Sequence, residues 1–139
     1  MARKSPAALR RAAPRHVSNI KVPMVDGVDA ATNRHIAVVE RDRYEPGAVA
    51  RALTRWRAYV HGPACELSDS YTLLYTCCPD DRPTTQRAVL ETAMRRLPRR
   101  SARTLGTLVA SLDQTLLSRT YFDPTSDPVL PWWERRLPR

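Results

Sequence analysis

The clearest pattern of apolar positions lies between residues 83 and 121. Val89, Leu90, Ala93, Met94 and Leu97 recur three or four residues apart, which is the spacing of one helix face. Pro98 then interrupts the pattern, because the residue before a proline is pushed away from helical angles. The helical spacing resumes after the proline at Leu105, Leu108, Val109, Leu112 and Leu116. The pattern therefore predicts two helices, and the short connection between them makes them neighbours in space.

Residues with cap chemistry stand near both predicted starts. Thr84 or Thr85 can cap the first of these helices, and Ser101 can cap the second, because a hydroxyl oxygen accepts a free amide proton there. An earlier helix is predicted over about residues 46–60. Its apolar positions share one face, and Gly62-Pro63 ends it. Trp56 lies in register with that face, which favours a core anchor over an exposed stacking platform.

Two short stretches near the N-terminus favour strands over helices. Residues 17–22 interleave apolar and polar side chains, and residues 35–40 are rich in β-branched types. We expect the two stretches to pair as a short ribbon that lies against the helices, since a ribbon of this size is only marginally stable alone.

The segment from Cys65 to Cys78 fits two structures. As a helix it places Leu67, Tyr71, Leu74 and Tyr75 on one stripe, and as a strand it has the composition that sheets prefer. Periodicity cannot decide over so short a run. We favour a helix for residues 66–78, because both neighbouring segments are helical and Ser68 or Asp69 offers a cap.

The last 17 residues differ in composition from the rest, because they are rich in proline, which stiffens the chain, and contain two adjacent tryptophans. Trp132 and Trp133 are costly to expose, so two outcomes are open: they fold back and close the helical core, or they dock a partner. The predicted fold is mainly α, a small single-domain bundle of three or four helices with a short N-terminal β-ribbon and an extended C-terminal segment. We divide the chain into a basic flexible tail at 1–16, one globular domain at 17–122 and the C-terminal segment at 123–139.

Positive charge is concentrated at the predicted bend between the last two helices. The chain carries 23 basic and 14 acidic residues, a net charge of +9. Five arginines, which we call the arginine corner, fall within nine residues around Pro98: Arg95, Arg96, Arg99, Arg100 and Arg103. Guanidinium groups on a convex surface suit phosphate contacts. A compositional origin is equally open, because a GC-rich genome enriches Arg, Ala and Pro through codon usage alone.

Motifs for catalysis are missing from the sequence. Neither Gly-x-Ser-x-Gly nor His-Glu-x-x-His occurs, and four glycines in the chain exclude a Gly-rich phosphate loop. His61, Cys65, Cys77 and Cys78 are acceptable zinc ligands by type, but adjacent cysteines strain a shared site. Buried cysteines that behave as small hydrophobes are commoner, so we predict no cofactor and no metal.

These observations lead to two competing hypotheses for a non-enzymatic binding protein. The first is contact with nucleic acid through the arginine corner, without sequence-specific base recognition. The second is a protein–protein adaptor or complex subunit that uses the Trp132–Trp133 pair, and a small zinc-stabilised module is a more distant third. The sequence contains no secretory h-region and no apolar run of about 20 residues. Its three cysteines are an odd number, which fits a reducing compartment. We therefore expect a cytoplasmic protein without membrane contact.

Overall fold

The computed structural model describes residues 21–67 and 82–139. Within these ranges the protein has four α-helices and a small antiparallel sheet. The helices are α1 (Ala30–Arg43), α2 (Ala48–His61), α3 (Pro83–Arg96) and α4 (Arg99–Arg119), and the strands are β1 (Thr120–Phe122) and β2 (Arg136–Pro138). Single turns of 3-10 helix occur at Ala64–Glu66 and Trp132–Glu134.

Helices α2, α3 and α4 pack against one another and confirm the helical patterns of the sequence. Trp56, Leu90 and Leu105 are fully buried between them, and Leu97 and Leu112 are nearly so. The other buried apolar residues come from all four helices, the segments next to them and the C-terminus: Val25, Ile36, Val39, Val49, Ala50, Ala52, Leu53, Val60, Leu67, Ala93, Val109, Leu116 and Trp133. Burial of this apolar surface is the main force that holds the four helices together.

The predicted N-terminal ribbon is wrong where the structure describes it. Residues 35–40 belong to α1, and residues 21 and 22 form no strand. Strand alternation would bury Ile36 together with Val38, but the structure buries Ile36 with Val39 and leaves Val38 60% exposed. The burial period is therefore helical, and packing against the other helices outweighs the β-propensity of the local side chains. Residues 17–20 lie outside the described residues.

The helix starts also differ from the predicted caps. Pro83 occupies the first turn of α3, with Arg82 as N-cap, so neither Thr84 nor Thr85 has that role. Pro98 is the N-cap of α4, which places Ser101 inside the first turn instead of at the cap. A proline at these positions loses no helical hydrogen bond, because the first amides of a helix have no partner within it.

The C-terminal segment returns to the helices and is extended only in part. Strand β2 pairs with β1 so that Leu137 faces Tyr121 across the ladder. Trp133 packs into the core with 9% of its surface exposed, whereas Trp132 is 38% exposed. The segment predicted as helix over residues 66–78 lies outside the described residues from 68 onward. In the parts of the chain that are described, no helix is both long and apolar enough to span a membrane.

Candidate functional site

The arginine corner forms an exposed bend between α3 and α4. Arg95 and Arg96 occupy the last turn of α3, and Arg99, Arg100 and Arg103 occupy the first turns of α4. All five side chains belong to exposed residues. Leu97 fixes the bend from beneath, because its side chain is buried and its amide donates to the carbonyl of Ala93. The structure thus places the five predicted residues, all exposed, on the two sides of one bend.

Two members of the corner have carboxylate partners. Arg95 Nε donates to Glu91 Oε1 at 3.1 Å, and Arg96 Nη1 donates to Asp42 Oδ2 at 3.3 Å. Burial by itself would raise the pKa of Glu91, but hydrogen bonds and positive charge from Arg87 and Arg95 outweigh it and lower that pKa. Exposed ion pairs of this kind contribute little to stability, so a phosphate can displace them at small cost.

The other three members carry charge that no nearby acid neutralises. Among residues 21–67 and 82–139, Arg99, Arg100 and Arg103 form no ion pair within 4.0 Å. Arg100 acts only at longer range: the pKa of Asp29 is lowered chiefly by a hydrogen bond from Thr32, and the charge of Arg100 adds a smaller effect.

Arg99 and Arg100 lie in the first turn of α4, where positive charge is unusual, and Arg103 lies one turn further along. The first turn of α4 contains no acidic residue, and Pro98 offers no side-chain acceptor to the first amides. The partial positive charge of a helix N-terminus repels arginine and attracts anions. The arrangement therefore lowers the stability of α4 slightly and raises the affinity of the same surface for an anion.

Hydrogen bonds between α1 and α4 fix the corner from one side. Ser101 Oγ lies 2.7 Å from His35 Nδ1 and 3.3 Å from Thr32 Oγ1, and the Thr32 hydroxyl donates its proton to the Asp29 carboxylate. The Ser101 hydroxyl is buried, and its contacts with Thr32 and His35 link α4 to α1. Sequence reasoning missed this contact because about 66 positions separate its partners and no spacing rule connects them.

A second polar network lies in the core and anchors the C-terminus. Arg87, itself buried, donates through Nη2 to Asp113 Oδ2 at 2.8 Å and through Nη1 to Glu91 at 3.0 Å. Trp56 Nε1 donates to the same Asp113 carboxylate at 3.1 Å. The guanidinium carbon of Arg87 lies 4.6 Å from the ring centre of Trp133. This network was not anticipated, since a single Arg and a single Asp in amphipathic helices look solvent-exposed.

The two tryptophans contact α3 near its start, whereas the arginine corner begins in the last turn of that helix. Trp132 and Trp133 contact Arg87 near the start of this helix, with 5.9 Å and 4.6 Å from the guanidinium carbon to the ring centres. Arg95 lies eight residues further along, about 12 Å at the rise of an α-helix. The structure therefore does not join the two predicted sites into one surface, and Trp133 is buried in the position it occupies.

The zinc ligands considered from the sequence cannot be assembled from the described residues. His61 and Cys65 are both exposed, and Cys77 and Cys78 lie outside the described ranges. Within those ranges no group of three or more His, Cys, Asp or Glu side chains is placed to hold a metal ion.

Comparison with known proteins adds no further identification. No protein-family model, no curated protein and no solved structure matches this chain.

Proposed function

We propose that this protein is a small non-enzymatic binding protein of the cytoplasm that contacts the phosphate backbone of nucleic acid through the arginine corner. The observation that carries the proposal is the position of Arg99, Arg100 and Arg103 at the start of α4, exposed and without a carboxylate partner among the described residues. Acidic side chains would stabilise this helix start better than arginine does, so folding alone does not favour arginine there.

The chemistry favours backbone contact over base recognition. Guanidinium groups donate in pairs to phosphate oxygens, and the free amides of the helix start add donors to the same region. The neighbouring exposed residues of α4 give no Asn or Gln set that would read base edges. Binding should therefore depend strongly on salt and only weakly on sequence.

A salt titration with matched variants tests the proposal. A fluorescent duplex DNA and a single-stranded RNA of equal length are each titrated with the wild-type protein, starting at about 50 mM salt. The slope of log K against log salt for the duplex is negative, and in the Arg99→Gln/Arg103→Gln variant its magnitude should decrease by about 1.8, because each lost phosphate contact removes about 0.9. Arg43→Gln/Arg57→Gln removes the same charge from exposed positions elsewhere and should leave most of the slope.

Three results would overturn the proposal. The first is no binding to either nucleic acid at about 50 mM salt. The second is equal loss of slope in the two double variants, which would mean that only net charge matters. The third is unchanged binding when all five arginines of the corner become glutamine.

A further inference from the structure

An apolar groove runs along one side of α1, next to the face of that helix that packs on the core. Its volume is about 640 Å³, and the chain segment 22–24 forms one of its walls. Val22 is 44% exposed and Met24 is 64% exposed, so large apolar side chains meet solvent here. From α1 the groove takes Ala30, Asn33, Arg34, Ala37, Glu40 and Arg41.

Hydrogen bonds fix both walls of the groove. The side-chain amide of Asn33 accepts from the backbone N–H of Val25 and donates to its carbonyl, at 3.1 Å in each case, which holds the segment beside α1. At the other end, the buried carboxylate of Glu40 accepts from the amides of Gly47 and Val49 at 2.8 Å. The groove is therefore formed in advance, and the acidic residue along it is already engaged.

The charge at the edge of the groove is positive. Arg34 and Arg41 are exposed on α1 and form no ion pair with any described residue. They stand seven residues apart, which is about two helical turns or 10.5 Å. Ala37 lies between them and Ala30 lies one turn before Arg34, and their small side chains allow another helix to approach closely.

We infer that this groove docks an acidic amphipathic helix of a partner protein. The apolar stripe of such a helix would cover Val22, Met24 and Ala37, and carboxylates two turns apart on its flank would pair with Arg34 and Arg41. Charge complementarity selects this occupant over the chain's own residues 1–20, which contain five Arg or Lys and no acidic residue. The surface is distinct from the arginine corner, so the inference does not depend on the proposed function.

A designed peptide provides the test. The probe is a fluorescent helix-forming peptide of about 16 residues, with leucines at positions three and four apart and glutamates two turns apart on one flank. Its control has the same composition in an order that destroys the apolar stripe. We expect the probe to bind the full chain with a micromolar Kd and the control to bind at least tenfold more weakly.

Two variants locate the binding surface. Ala37→Glu, an exposed helical position, and Arg34→Glu/Arg41→Glu should each weaken probe binding at least tenfold. A probe with lysines in place of its glutamates should recover affinity for Arg34→Glu/Arg41→Glu. Circular dichroism checks that both variants keep their helices, and Arg57→Glu/Arg103→Glu, at exposed positions outside the groove, serves as the charge-matched control for the double variant.

Several outcomes would overturn the inference. These are equal binding of the probe and its control, no binding at about 1 mM peptide, and loss of binding in Arg99→Gln/Arg103→Gln with retention in Ala37→Glu. Sedimentation that shows a dimer dissociated by Ala37→Glu would assign the groove to a second copy of the chain instead, and would overturn the inference as well.

Discussion

Arg87 is a charged side chain in an almost fully buried position, 5% exposed. Its cost of desolvation is offset by the Asp113 carboxylate, to which Nε and Nη2 both donate, and by the face of the Trp133 ring. Asp113→Asn keeps the shape and an oxygen acceptor for Trp56 but removes the negative charge. We expect the free energy of unfolding to fall by about 3 kcal/mol, because the buried guanidinium loses its buried counter-charge and keeps only the partly exposed Glu91 carboxylate. Urea denaturation measures this loss.

Two further variants separate the buried charge from the network around it. Glu91→Gln alters the more exposed partner of Arg87 and should cost less than about 1 kcal/mol. Combining Arg87→Met with Asp113→Asn should destabilise less than the two single changes added together, since no unpaired charge then remains. Asp113→Asn within about 1 kcal/mol of the wild type would contradict the assignment of a buried ion pair.

Gly47 lies in the turn between α1 and α2 with a φ of +82°, a region that other residues rarely adopt. A Cβ added there would lie 2.5 Å from Cγ of Pro23, so that the segment along the groove would have to move. Gly47→Ala should therefore lower the free energy of unfolding by about 1–3 kcal/mol. The matched control is Gly106→Ala inside α4, where the new Cβ meets Met94 Sδ at 3.7 Å. That change should stabilise by about 0.5–1 kcal/mol, and the same sign for both variants would contradict this account.

At the scale of elements, the helices predicted correctly are those whose apolar positions share one face. Leu90 and Ala93 in α3, and Leu105, Val109 and Leu112 in α4, are buried as their spacing indicates. Helix α1 was missed because its buried set includes polar side chains, Thr32 and Glu40, which a hydrophobic pattern does not count. Glu40 is buried because it caps two amides of the next element, a reason that exists only in the folded chain.

The C-terminal segment is an element that stabilises the helices by covering Arg87. Trp133→Ala removes a buried ring and exposes the guanidinium, and we expect a loss of about 3–5 kcal/mol in the free energy of unfolding. Trp132→Ala, at the 38% exposed position, should cost less than half as much. Thermal and urea unfolding, followed by far-UV circular dichroism because the fluorescence itself changes, measure both. Equal costs for the two variants would show that Trp133 does not anchor the segment.

At the scale of the whole molecule, the arginines of the corner lie at one exposed bend because they are close together along the chain. Five arginines around Pro98 must lie near one another whatever the rest of the fold does. Contacts that join distant positions had no such signal: Asp42 with Arg96, and Arg87 with Asp113, depend on how the helices cross. The groove beside α1 was equally hidden, because it requires the segment 22–24 to lie along a helix that the local pattern did not predict.

Salt should act in opposite directions on the free protein and on its proposed complex. The net charge of +9 includes three corner arginines without ion-pair partners among the described residues, so screening relieves repulsion in the folded state. The urea midpoint of the free protein should therefore rise between about 20 mM and 300 mM sodium chloride, while nucleic-acid affinity falls over the same range. Arg99→Gln/Arg103→Gln should reduce both effects, and Arg43→Gln/Arg57→Gln should reduce mainly the first. A midpoint that falls with salt would mean that the exposed pairs of Arg95 and Arg96 outweigh the repulsion, and the corner would then be a structural feature of the bend.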